Sequence, residues 1–217
     1  MHDVQSSYGT MGLIDGLTES LAPVRRRRPV REALILLGIL AIQLAGTLAL
    51  LGGTSLAVFT ADPGGLIAKA VMLSGLTVGF AALAFRSFEP TAPRPRNTAI
   101  GIAGFLLGFG ILTLDRSFGG SAMNMLMPMS GIKCLLSSVS FSLPMFIALT
   151  VFMRGAAPTQ PRMTALFVGI SSGSWGVFVY GLQCPFTNIV YMATWYGGAV
   201  AIVALAAAVI LPRLARW

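Results

Sequence analysis

Charge, histidine and cysteine are all scarce in this chain. Only 10% of its 217 residues are charged, one is histidine and two are cysteine. A soluble domain carries charge on about a quarter of its residues, so an ordinary water-soluble fold is excluded. The single histidine is His2, and the seven carboxylates, among them Asp15, Glu32, Asp62 and Asp115, are scattered through tails and short loops. That leaves no Ser/His/Asp set, no HExxH, no phosphate-cradling glycine loop and no CxxC pair, and the chain reads as a non-enzyme. No apolar run carries a charge deep inside it, which counts against a pump or carrier built on ionisable groups at membrane depth.

What is present is hydrophobic: 55% of the residues are apolar, and the mean hydropathy is +0.80. A helix needs about 20 mostly apolar residues to cross a bilayer core about 30 Å thick. Six runs approach that length: 33–52, 66–85, 99–114, 132–152, 163–182 and 189–211. None alternates apolar with polar as a barrel strand does, so the spanning elements are helices and the fold class is all-α. Twelve of the 15 cationic residues fall in the two tails and the second and fourth loops; only Lys69, Arg116 and Lys133 fall on the other side. Cationic flanks stay in the cytoplasm, so both termini are expected inside. The expected architecture is a cytoplasmic tail, residues 1–32, followed by a six-helix transmembrane domain, residues 33–217, in three hairpins.

The hairpins share a pattern. PVREAL at Pro29, PRNTAI at Pro95 and PRMTAL at Pro161 recur 66 residues apart. An old duplication would produce this, and so would any series of two crossings with short loops. Small-residue spacings at Gly75/Gly79, Gly104/Gly108 and Gly169/Gly173 mark faces where helices could approach closely.

The two cysteines, Cys134 and Cys184, open the fourth crossing and close the fifth, so topology puts both at the outer face. They are read three ways: as inert buried thiols, as a fixed disulfide, or as a dithiol that takes a soft metal ion or an oxidant. Lys133 and a helix N-terminus beside Cys134 make that sulfur the expected first nucleophile. Pro185 should end the fifth helix. Met123, Met125, Met127 and Met129 alternate just before Cys134; they are either apolar filling or auxiliary soft ligands. In the N-terminal tail Met11, Ile14, Leu17 and Leu21 recur at helical spacing, and with Leu13 they form a candidate partner-binding face. Arg25, Arg26, Arg27 and Arg28 read as a membrane anchor at anionic headgroups.

The stretches PMSGIKCLLSSVSFSLPMF and VYGLQCPFTNIVYMATWY, with the tail LIDGLTESLAPVRRRRP, resemble the NrsF family of six-helix membrane-bound anti-sigma factors. Tyr180, Cys184, Pro185, Trp195 and Tyr196 carry the family's motif. Gln183 stands where the family usually has histidine, and Phe186 and Thr187 replace its acidic pair, which removes the borderline and hard ligands of a zinc-like site. The resemblance implies a multi-pass protein of the bacterial inner membrane that holds an extracytoplasmic-function (ECF) sigma factor on the cytoplasmic side. It would touch lipid and that partner, with no direct nucleic-acid contact. It implies release of sigma on heavy-metal or oxidative stress through Cys134 and Cys184, with no obligatory cofactor and a soft metal ion only as a signal. The rival readings are a small copper-type transporter or permease subunit, and a structural membrane scaffold.

Overall fold

Proline begins helices readily, because its missing N–H is one that the first turn leaves unpaired anyway. Among the described residues, four helices start on one. The computed structural model describes residues 29–61, 63–88, 100, 128–156, 160–186 and 189–214. They form α1 (Pro29–Ala61), α2 (Pro63–Ser87), α3 (Pro128–Arg154) and α4 (Pro161–Gly181). The last helix, α5, joins Ile189–Tyr191, a π-helical turn Met192–Tyr196 and Gly197–Leu214. The described residues are all-helical, and five helices are long and apolar enough to cross a membrane. The expected third crossing, 99–114, lies outside the described residues apart from Ile100, which is helical.

By its contacts the chain separates into Met1–Ala33 and Leu34–Trp217. Of the first unit only the opening of α1 is described. In the second, α4 is the hub: it packs against α2, α3 and α5, and α3 also meets α5. The interior is smaller and more polar than the surface. Gly169 lies against Ala204 and Ala207 of α5, Gly173 against Val200, and Gly176 against the backbone of Ser138 and Ser142 on α3. Ser171, Ser172 and Ser174 are fully buried, and Ser172 and Ser174 return their hydroxyls to the carbonyls of Val168 and Ile170 at 2.7 Å. Such back-bonding satisfies a hydroxyl where no water reaches it.

The surface is aliphatic. Ile132, Leu136, Leu143, Ile147 and Val151 form an exposed stripe along α3, and Ile67, Val71 and Val78 do the same on α2. Without a hydrophobic drive between helices in lipid, close approach and internal polar bonds hold a bundle together. Of the expected glycine spacings, that of Gly169 and Gly173 sits at a helix contact. Gly75 has open space beside it, and Gly104 and Gly108 lie outside the described residues.

α1 runs 33 residues, about 50 Å at 1.5 Å per residue, so it continues well past the expected end of the first crossing at Gly52. It seats Leu36 in the core, flanked by Ile39, Leu40 and Leu44. Gln43 ties it to two other helices: the side-chain amide donates to the Phe141 carbonyl at 2.9 Å and accepts from the Trp175 indole at 2.5 Å.

Helix direction sorts the charge. α2 ends near Arg86, α3 at Arg154 and α5 near Arg213, while α4 begins with Arg162. One end of the bundle is therefore basic. The opposite end collects the starts of α2, α3 and α5 and the exit from α4, and there both cysteines lie.

Candidate functional site: a buried cysteine pair

α4 tightens as it ends. Gln183 N–H donates to Tyr180 O at 2.9 Å and Cys184 N–H to Gly181 O at 3.3 Å, a three-residue repeat in place of the α-helical four. Pro185 has no N–H to continue the ladder, and the expected end of this helix holds. Cys184 is thus carried on a short non-helical link. α3 begins six residues before Cys134, so Cys134 sits in the second turn of that helix and not at its opening, as the sequence suggested.

The two sulfurs meet within hydrogen-bonding reach. Both are unpaired thiols, 1% and 6% exposed. They share a cluster with Leu73, Val177, Tyr191, Met192, Tyr196 and Ala199. Two aromatic residues reach it because of the π turn. Its bonds close from i to i+5, as in Gly197 N–H donating to Met192 O, so residues five apart share a side. Tyr191 and Tyr196 accordingly meet edge to face at 6.1 Å, and Phe186 lies 4.8 Å from the Tyr191 ring. The Tyr191 hydroxyl is buried in the same cluster as the two sulfurs. Trp195 lies across Gly131 on the first turn of α3, in space that any β-carbon there would fill.

The nearby cation is Lys69, a residue that hydropathy alone assigns to the outer flank. It is 3% exposed, on the second turn of α2. Its ammonium donates to Cys184 O at 2.8 Å, to Phe186 O at 3.3 Å and to the Tyr196 hydroxyl at 3.5 Å. A cation beside the last carbonyls of a helix is favoured by the helix dipole. Lys69 stands near the end of its crossing and not deep in the apolar run, and Lys133, the cation expected beside Cys134, is exposed. The Cys134 thiol, donating to the Cys184 sulfur, holds Cys184 below the ordinary thiol range against the opposing effect of burial. The Tyr196 hydroxyl, the Phe186 N–H and the Lys69 charge act in the same direction. These donors converge on the Cys184 sulfur.

Among the described residues no three His, Cys, Asp or Glu side chains group as a metal site. A two-sulfur set without imidazole or carboxylate suits a soft ion better than zinc. Met129 stands 78% exposed on the first turn of α3; Met123, Met125 and Met127 lie outside the described residues. So do Leu13, Ile14, Leu17, Leu21 and Arg25 to Arg28.

Comparison with known proteins adds a second line. The family described as "Negative regulator of sigma F", NrsF, matches residues 17–217. The chain is 30% identical over 85 residues to a "Probable anti-sigma-F factor NrsF" of Azospira oryzae, an overlap of 39% of this chain and 40% of that protein. It is 32% identical over 76 residues to an "Anti-sigma-F factor NrsF" of Caulobacter vibrioides, covering 35% and 36%. The aligned stretches span well under half of either relative. No solved structure matches the chain.

Proposed function

Because the chain belongs to the NrsF family of negative regulators of sigma F, we propose that it is a membrane-bound anti-sigma factor of the bacterial inner membrane, switched by its cysteine pair. The N-terminal tail, through Leu13, Ile14, Leu17 and Leu21, holds an ECF sigma factor on the cytoplasmic side, with Arg25 to Arg28 at the headgroups. Basic flanks favour the cytoplasm, which puts the arginine end inside and the cysteine end outside.

The observation that carries the reading is the pairing itself. The chain's only two cysteines stand 50 positions apart, yet their sulfurs meet inside a dry cluster at the end opposite the arginines. The stimulus is a heavy-metal ion or an oxidant. A soft cation displaces two protons and bridges the sulfurs; an oxidant takes two electrons, and an S–S bond forms with loss of the same two protons. Either event pulls on the exit of α4, whose 21 residues reach about 32 Å toward the opposite end. Moving a two-state equilibrium from 1:99 to 99:1 takes about 5.5 kcal/mol of differential binding, and a bond between two buried sulfurs is of the right size.

The test is Cys134→Ser and Cys184→Ser in cells carrying a sigma-dependent reporter. Both variants are expected to keep the reporter off and to stay silent under cadmium or diamide. Normal induction in both would overturn the switch, as would a reporter that is already on, since the thiols would then be needed to hold sigma at rest and not to release it.

A further inference from the structure

A lysine is among the side chains least often fully buried, and its ammonium must find acceptors if it leaves water. Lys69 has three N–H donors, and three acceptors lie around it: Cys184 O at 2.8 Å, Phe186 O at 3.3 Å and the Tyr196 hydroxyl at 3.5 Å. The ammonium also stands 5.6 Å from the centre of the Tyr196 ring.

The two carbonyls flank Pro185. That residue has no N–H, and α4 has already ended, so the link carrying Cys184 has few backbone bonds to fix its path. Its described backbone bonds run back to the end of α4, from Gln183 to Tyr180 and from Cys184 to Gly181. The clamp that holds both sides of the proline comes from another helix, α2. Lys69 also reaches Tyr196, so one side chain ties three elements together: α2, the link after α4 and the π turn of α5.

From this we infer that Lys69 is the positioning residue of the cysteine pair: by gripping the carbonyls on either side of Pro185 it fixes Cys184 so that its sulfur rests against Cys134. The inference deepens the proposed switch and rests on it for biological meaning, but the positioning has its own readout. Without the clamp the link samples other paths, and the sulfurs spend less time together. The pair then becomes harder to join by any reagent that must engage both.

The test uses the full-length protein in lipid nanodiscs, equilibrated with oxidised and reduced glutathione. One oxidised glutathione takes two electrons from the pair as the Cys134–Cys184 bond forms, and two glutathione thiols are released. The disulfide fraction, read by mass after alkylation, gives the effective concentration of one thiol at the other. Lys69→Met is expected to lower it at least tenfold, which corresponds to a potential about 30 mV more oxidising. Lys69→Gln keeps amide donors without charge and is expected to fall between the two, and it carries the test if the methionine variant does not fold. Leu73→Ala, one turn along α2 in the same cluster, removes packing alone and is expected to stay within threefold of wild type. An unchanged equilibrium in the folded Lys69 variants would overturn the inference, as would an equal loss in Leu73→Ala. The readout is independent of sigma, so a failed switch and a failed clamp are told apart by which of the two experiments fails.

Discussion

α4 and α1 are both apolar enough to cross a bilayer, yet 72% of the former's most apolar window is buried inside the protein and only 11% of the latter's. The more buried helix is the less hydrophobic of the two, with a mean hydropathy of 1.3 against 1.9. In water the order would be reversed. In lipid the tails are as apolar as leucine, so burying leucine gains little, and the central position goes to the helix whose small and hydroxyl-bearing residues let neighbours come close. α4 brings Gly169, Gly173 and Gly176 to its partners; the described part of α1 brings an aliphatic strip and the Gln43 amide.

The contrast makes graded predictions. The largest effect is expected from Gly176→Leu, since even a β-carbon there meets the backbone of Ser138 and Ser142, which cannot swing aside. Overpacking of this kind should cost about 3 kcal/mol, seen as loss of the monodisperse peak and a lower thermal midpoint in detergent. An unchanged midpoint would mean that α3 and α4 are not held at this distance. Next is Gln43→Leu, which removes the bonds to Phe141 and Trp175 and leaves the Trp175 indole without its acceptor. One buried interhelical bond in a membrane is worth about 1 kcal/mol. A double-mutant cycle with Trp175→Phe should recover most of that as coupling energy, and its absence would show that this bond does not hold α1 to α4. The smallest effect is expected from Ile42→Ala, one residue away and 74% exposed. Its thermal stability should stay within about 0.5 kcal/mol of wild type; a larger loss would show that this face of α1 is covered.

The same contrast explains how far the amino-acid sequence could be read. Apolar runs located the helices, prolines at positions 29 and 161 marked two of their starts, and Pro185 marked the end of α4, because each acts through local backbone chemistry. Counting crossings put Cys134 and Cys184 at one face, but their approach depended on which helices are neighbours, and that is a matter of tertiary packing. Lys69 did not follow. It stands four residues inside a run that begins at Leu66, where a lysine ordinarily snorkels to the headgroups, and nothing local shows that the Cys184 and Phe186 carbonyls wait for it. Gln43 was equally invisible, since its partners are 98 and 132 positions away. The π turn has no composition of its own: MATWY is written like any helical stretch, and only tertiary packing selects its wider spacing.

That turn also has an effect on everything after it. By absorbing one extra residue before Gly197 it rotates the rest of α5 by about 100° relative to an uninterrupted α-helix. The rotation is what brings Ala199, Val203, Ala207 and Leu211, spaced four apart and all buried, round to the bundle. The aromatic cap over the thiols and the small-residue seam below it are thus phased by a single turn, and deleting one residue from Met192–Tyr196 would aim that seam at the lipid.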